Sequence, residues 1–389
     1  MKHNWTKVLC STAVAASLFT SCKPNPDTDT PFPQAVSPSV FMASQNQFVY
    51  AIDPITGVKK WECFINANIE SSPVLYGGTL FVGNSSAILF KVDPNTGARS
   101  QSKLGFPAGI RTTPVGKDNF LYLTTGSDVK CIDIKPDSLE WSFTAGGNIN
   151  SSPYVIDTQL VFGCDNGKVY MLDNRTGKLI WETKDYGTLF QSSPNMDPTI
   201  IHTNPDNTRD TGMVYIGAEN GAMYAFRRKN GVEIYNYQTA APIKSSPVVY
   251  GGNIIFGNDD SKLYCLENIK GQPRWITTVD DRIRSSPYLY GQTIYFGSYD
   301  KGFYSVNALD GSIKWRFTTG GLIASSPVCY KNYVYFGSYD KNGYALDTSS
   351  GKVLWKYAVN GLMDCSPSID PNNSDGNGIN SSISGASIY

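Results

Sequence analysis

Six of the seven tryptophans in this chain keep a fixed beat: Trp61, Trp141, Trp181, Trp275, Trp315 and Trp355. Neighbours stand roughly forty residues apart, or about twice that where a place is skipped. Gln101 and Tyr235 fill the skipped places, so the register runs through eight positions. A single irregular core does not produce such a period. It requires one supersecondary unit copied about an axis.

Each unit contains four short runs rich in β-branched and aromatic residues. In one of them the runs are Ser285 to Tyr290, Thr293 to Ser298, Gly302 to Asn307 and Ser312 to Phe317. Gly, Asp, Asn and Ser separate them, which is strand punctuation with hairpin-length links and no room for a helix. Four antiparallel strands in roughly forty residues make a β-propeller blade. The expected fold is therefore all-β, an eight-bladed β-propeller of four-stranded antiparallel blades.

The ring is expected to close by pairing of N- and C-terminal strands. The first unit, near Val40, lacks the Ser-Ser-Pro that opens most of the others, and Cys365-Ser366-Pro367-Ser368-Ile369 begins a ninth unit that is never completed. The C-terminal run can supply the missing inner strand, which leaves no open edge. Residues 39–44 and 383–388 compete for the second position of that closing blade.

The recurring residues within a unit have mechanical readings. Proline at 73, 114, 153, 194, 247, 287, 327 and 367 has no N–H to give a ladder and suits the start of a strand. In Asp53-x-x-Thr56-Gly57 and Asp173-x-x-Thr176-Gly177 the Asp can bond its own backbone and the Gly can take a positive φ. The tryptophans that follow are large fillers suited to docking one blade on the next.

The N-terminus differs in character. Met1-Lys2 and Lys7 are followed by an apolar run from Val8 to Phe19 and then Thr20-Ser21-Cys22. This resembles a bacterial lipoprotein signal, with an ordinary secretory signal as the alternative; the run is too short for a spanning helix. The expected organisation is a signal peptide over 1–21, a lipidated Cys22 and flexible tether over 22–38, and the propeller over 39–389. The tether is rich in Pro, Asp and Thr, the composition of a disordered stalk. Multiple acyl chains on one cysteine would anchor the chain stably, placing it in the bacterial cell envelope at the outer membrane.

Formal charge is zero over the whole chain, and removing Lys2 and Lys7 with the signal leaves about −2. No basic stripe is present, which argues against nucleic acid. Eight cysteines in an exported protein suggest disulfides, but Cys131 and Cys265 stand where Ala51, Ala225 and Ala345 stand in other units. The remainder fall at different places in different blades, so free buried thiols are expected.

Function should lie where the copies differ. The residue before each Ser-Ser-Pro, or its variant, is in turn Glu70, Arg111, Asn150, Gln191, Lys244, Arg284, Ala324 and Asp364. Ending the link into the innermost strand, these should circle one mouth of the central channel as a binding surface, acidic near Glu70 and Asp364 and basic near Lys244 and Arg284. A solvated rim is the plainer alternative. Tyr299 and Tyr339 should add exposed aromatic rings to the same face. The insertion between Pro194 and Val214 should form a longer loop on the opposite face.

The pattern Ala51-x-Asp53-x-x-Thr56-Gly57-x-x-x-Trp61, with variants ending at Trp181, Trp315 and Trp355, resembles the docking signature of the PQQ-like (quinoprotein alcohol dehydrogenase-like) propellers. The resemblance covers nearly all of the chain after its N-terminal segment. Enzymes of that superfamily hold a quinone against vicinal cysteines with acidic calcium ligands. This chain has no adjacent cysteines and no CxxCH for attached haem, and only His202 would survive signal removal. No catalytic residue, cofactor or metal is therefore expected. In size and lipoprotein signal the chain is similar to the BamB branch, non-enzymatic lipoproteins of outer-membrane β-barrel assembly. That likeness implies a monomeric scaffold for envelope proteins, including the β-barrel assembly machinery. A propeller binding glycans or another envelope complex, and a PQQ-dependent dehydrogenase, remain as alternatives.

Overall fold

The computed structural model describes residues 38–203 and 209–369. Within them, eight four-stranded antiparallel sheets account for all the strands. Blade 1 is built from Val40–Ser44, Phe48–Ile52 and Lys59–Phe64, with Ser368–Ile369 from the far end of the chain as its inner strand. Val40 pairs with Ile369 and Phe41 with Ser368. Blades 2 to 8 follow in order, opening at Val74, Val115, Tyr154, Asn195, Val248, Tyr288 and Val328. Closure by terminal strands is thus as expected, with Val40–Ser44 in the second position. Residues 1–21, Cys22, most of the tether and residues 383–388 lie outside the described residues.

The second strands are buried along nearly all their length, as in Leu80-Phe81-Val82, Ile254-Ile255-Phe256 and Ile294-Tyr295-Phe296, and so are most third strands, Lys91 and Lys130 being half-buried exceptions. A blade has a neighbour on both faces, so these strands read as continuous apolar runs without alternation. The outermost strands alternate instead, as in Ile313–Thr318.

Two belts join the blades. The inner one explains the recurring Ser-Ser. The first Ser turns into its own blade, where Ser151, Ser285 and Ser325 Oγ accept from the N–H groups of Gly163, Gly297 and Gly337 at 3.1 Å. The second Ser reaches sideways. Backbone N–H groups of Thr113, Ser152, Ser193, Ser246, Ser286, Ser326 and Ser366 donate to Oγ of Ser152, Ser193, Ser246, Ser286, Ser326, Ser366 and Ser72 respectively. That chain of bonds passes from blade to blade and across the closure. The prolines stand immediately before the strands they introduce, one residue earlier than a first strand position.

The outer belt is aromatic. Trp61, Trp141, Trp181, Trp275, Trp315 and Trp355 each donate Nε1–H to a carbonyl in the next blade's turn, at Pro94, Asn174, Arg228, Ala308, Thr348 and Pro54. Tyr235 does the same through its hydroxyl to Asn268. Each ring lies flat on the glycine of that turn. A Cβ on Gly311 (φ +75°) would sit 2.6 Å from Trp275, and one on Gly351 (φ +69°) 2.7 Å from Trp315. The glycine is required twice, for left-handed backbone and for the space the ring occupies. The Asp at the head of the turn accepts the N–H groups that follow it, as Asp53 does from Ile55 and Thr56.

Blade 2 departs from this scheme in a connected way. In the other seven blades a β-bulge sits where the third strand meets the fourth, and Ala51 there faces Trp61. Blade 2 pairs Lys91 with Ser100 and Phe90 with Gln101 without a register shift. One residue of register reverses the side-chain face, and Gln101 is exposed. No ring then covers the next turn, and Asp137 stands in its glycine position at φ +58°. Its carboxylate fills the space, accepting from Lys91 Nζ, Ser102 Oγ and Lys103 N at 2.8 to 2.9 Å.

The insertion in blade 5 is a correction to the expected loop. Asn195–Thr203 and Arg209–Gly217 extend the inner hairpin as strands, with an irregularity between Asp197 and Ile201. Local Asp, Asn and Pro favour turns, yet Ile200 is buried with Tyr215, Ile254 and Leu266, and that packing decides the outcome. The six cysteines of the described residues are free and buried, and burial pushes the Cys131 and Cys265 thiols up to about 12.

The outer belt gives a quantitative expectation. Gly311→Ala should lower stability by roughly 1–3 kcal/mol through overpacking and backbone strain, read as a reduced chemical denaturation midpoint. The same change at Gly291, where a Cβ meets nothing within 4 Å, should cost only the strain of its positive φ.

Candidate functional site: the channel mouth

The links into the inner strands place Glu70, Arg111, Asn150, Gln191, Lys244, Arg284, Ala324 and Asp364 around one end of the ring. A second circle lies beside them, formed by the loops between second and third strands. Backbone bonds fix the two together: Asp165 N–H donates to Asn148 O, Glu219 to Leu189, Asp259 to Pro242, Tyr299 to Arg282, Tyr339 to Leu322 and Gln45 to Leu362.

This second circle changes the electrostatics expected from sequence. Lys244 Nζ lies 3.1 Å from Glu219 Oε1. Arg284 makes a two-pronged contact with Asp259, Nε to Oδ1 at 2.9 Å and Nη2 to Oδ2 at 2.8 Å, a geometry suited to guanidinium. Asp259 holds the Arg284 guanidinium firmly in its charged form. The side expected to be basic is thereby neutralised pair by pair. Asn150 Nδ2 and Gln191 Nε2 both donate to Asp165, at 2.7 and 3.4 Å. Glu70 and Arg111 pair with each other at 3.0 Å, and Arg111 remains 63% exposed.

Sequence reasoning missed Asp165, Glu219, Asp259 and Gln45. Asp165, Glu219 and Asp259 stand two residues after a second-strand glycine, the place held by Tyr299 and Tyr339 after Gly297 and Gly337. Aligning that place across units would have found them. The two tyrosines do reach this face, but they are half-buried. The guanidinium carbons of Arg282 and Arg284 lie 5.2 and 5.3 Å from the centre of the Tyr299 ring. Burial, and next the charge of Asp364, push the Tyr339 hydroxyl up to about 12.

Asp364 is the most constrained member. Burial holds its carboxyl above the ordinary carboxylate range, partly offset by the bond from Gln45 Nε2 at 2.6 Å. Cys365 is buried beside it, its thiol donating to Ile69 O. The surface is also cleft. A space of about 620 Å³ lies between blades 4 and 5, lined by Asp165, Asp185, Thr188, Leu189, Glu219 and Asn220. A smaller one of about 230 Å³ lies beside Arg111 and Asn150.

The arrangement suits contact with a polar partner. Among the described residues no cluster of three or more His, Cys, Asp or Glu is placed to hold a metal. No two of the described cysteines are adjacent in sequence, and the docking tryptophans sit on outermost strands. These residues do not fit a quinone.

Asp364 yields a signed expectation. A carboxyl whose pKa is raised by folding costs stability when ionised; the cost is present above its folded pKa and gone below the unfolded value. Asp364→Asn keeps an acceptor for Gln45 and removes that cost. Its melting temperature should exceed the parent's near pH 7, and the gain should vanish by about pH 3.

Comparison with known proteins gives four findings. The family model described as outer membrane protein assembly factor BamB matches residues 99–248 and 240–364. The outer membrane protein assembly factor BamB of Yersinia pestis is 29% identical over 260 residues, 62% of this chain and 60% of the relative; the chain thus spans about three fifths of that relative's length. In fold, the chain is similar to BamB from Moraxella catarrhalis, with a TM-score of 0.62 at 16% identity over 77% of this chain and 90% of the other. A quinohemoprotein alcohol dehydrogenase from Pseudomonas putida HK5 is also similar, with a TM-score of 0.57 at 11% identity over 77% and 68%.

Proposed function

Because the chain belongs to the family of the outer membrane protein assembly factor BamB, we propose that it is a non-catalytic scaffold of the bacterial envelope that serves outer-membrane β-barrel assembly. The family match across residues 99–364 carries this reading. In it, a monomeric propeller is held at the outer membrane by a lipid on Cys22, and the channel mouth is the docking face for the β-barrel assembly machinery.

The chemistry of the mouth supports the role. A scaffold needs directional polar contacts that are already in place, since groups ordered beforehand lose little freedom on binding. The bonds of Arg284 with Asp259 and of Asn150 with Asp165 hold such groups in position. The exposed Glu70–Arg111 pair is the natural place to exchange partners, because surface pairs contribute only about 0–1 kcal/mol and are released at small cost. Asp364 is kept at a cost to stability, as groups retained for binding commonly are. A dehydrogenase shares the ring, but a shared fold carries no function by itself.

The test is site-specific photocrosslinking in intact cells, with the crosslinker at position 111 or 339 and a control at exposed Ile276. Adducts with a β-barrel assembly component at the mouth, and none at 276, are expected. Arg111→Glu should reduce their yield about tenfold, equivalent to ~1.4 kcal/mol. Adducts only with unrelated envelope proteins would discard the assembly role.

A further inference from the structure

The end of the ring opposite the mouth has a different composition, and the chain enters the ring there. Val40 pairs with Ile369 and Ile52, so Pro38 and the turn headed by Asp53 lie together at this base. Lys60 Nζ donates to Pro38 O. On that turn Ile55 is 55% exposed and Val58 63%. The equivalent turn of blade 7 exposes Leu309 at 63%, and the strands leaving the turns of blades 7 and 8 expose Ile313 and Val353.

Scattered exposed aliphatics are ordinary, and the same places on blades 4, 5 and 6 expose Leu179, Val232 and Ile269; the five on blades 7, 8 and 1 differ in lying on the blades that flank Pro38, where the described chain enters the ring. Exposed Lys59, Lys314 and Lys352 adjoin Val58, Ile313 and Val353 in sequence, and exposed Lys60 stands two residues from Val58. Aliphatic side chains flanked by lysines whose stems lie along apolar surface while the ammonium stays wet is the composition of an interfacial membrane contact.

We propose that the base of blades 7, 8 and 1 is a membrane-contact surface that rests on a lipid bilayer. The arm names this occupant over a protein one. Pro38, the first described residue, stands at this base, and Cys22, proposed above to carry the lipid, precedes it by sixteen residues. At 3.3–3.6 Å per residue the stretch from Cys22 to Pro38 reaches no more than about 58 Å, so a lipid on Cys22 keeps the base within that reach of the bilayer. This goes beyond the docking role of the mouth and does not depend on it; a ring resting on its base turns the mouth away from the lipid.

The test uses the whole chain, purified with its own N-terminal segment and reconstituted into phosphatidylcholine–phosphatidylglycerol vesicles. An environment-sensitive fluorophore is placed on Leu309→Cys, with Tyr339→Cys as the mouth reference and the labelled parent chain as background; the six described cysteines are buried and should react slowly. Lipid-borne quenchers should remove roughly half of the Leu309→Cys emission if the side chain sits ~5–10 Å into the headgroup boundary. They should leave Tyr339→Cys unchanged. Val58→Asp with Val353→Asp should abolish the quenching while thermal melting stays at the parent value. Equal quenching at both positions, or none at position 309, would overturn the proposal. So would protection of position 309 in cells but not in vesicles, since that would assign the base to a protein partner.

Discussion

An indole ring lying on a glycine of the next blade is the contact on which this ring depends. A twisted sheet cannot bury its own faces, so every blade borrows burial from its neighbours. The tryptophan supplies the area and its N–H satisfies a carbonyl that the turn leaves open. The joint between blades 8 and 1 repeats it, with Trp355 donating to Pro54 O at 2.9 Å and packing on Gly57. Closure is thus made by the same parts as every other joint, plus one shared strand. Where the ring is absent, at Gln101, bulge and glycine are absent too, and a buried ion pair at Asp137 replaces them.

With the blades joined by Ser-Ser bonds near the axis and aromatics at the rim, the solvent-facing positions of the mouth loops differ from copy to copy, while Ile69, Ile110, Ile243, Ile283 and Ile323 beside them stay buried. Two residues per blade, one before the inner strand and one after the second, produce two largely polar circles, ion-paired across them at Lys244–Glu219 and Arg284–Asp259. The base has another character, since its turns carry the docking glycines and cannot vary freely in backbone. Only their exposed side chains can, and on blades 1 and 7 these include Ile55, Val58 and Leu309, with Val353 on the strand leaving the turn of blade 8. The two ends of one ring are therefore suited to different surroundings.

The fold was legible in the sequence because the tryptophan period and the unfinished ninth unit report directly on repetition and closure. The cysteine environment was legible for the same reason, since Cys131 and Cys265 fall in register with alanines. What escaped was whatever depends on contacts between units. The Ser-Ser pairs had no reading in sequence, because the partner of each bond lies in a neighbouring blade. Lys244 and Arg284 read as a basic patch until Glu219 and Asp259, some twenty-five residues earlier in each case, are folded against them. The blade 5 insertion reads as loop because its Asp, Asn and Pro outweigh Ile200 locally, whereas burial of that isoleucine beside blade 6 selects strand.

Amide hydrogen exchange on the intact chain tests the evenly joined, closed ring most directly. Slow exchange should be found in the middle strands of all eight blades, with Phe48–Ile52 in blade 1 protected as well as Asn253–Gly257 in blade 6, and with faster exchange at the mouth loops around Glu70 and Arg111. Exchange of Phe48–Ile52 and Val40–Ser44 at the rate of the mouth loops would show that the shared strand does not close the ring, and would contradict the architecture on which both surfaces rest.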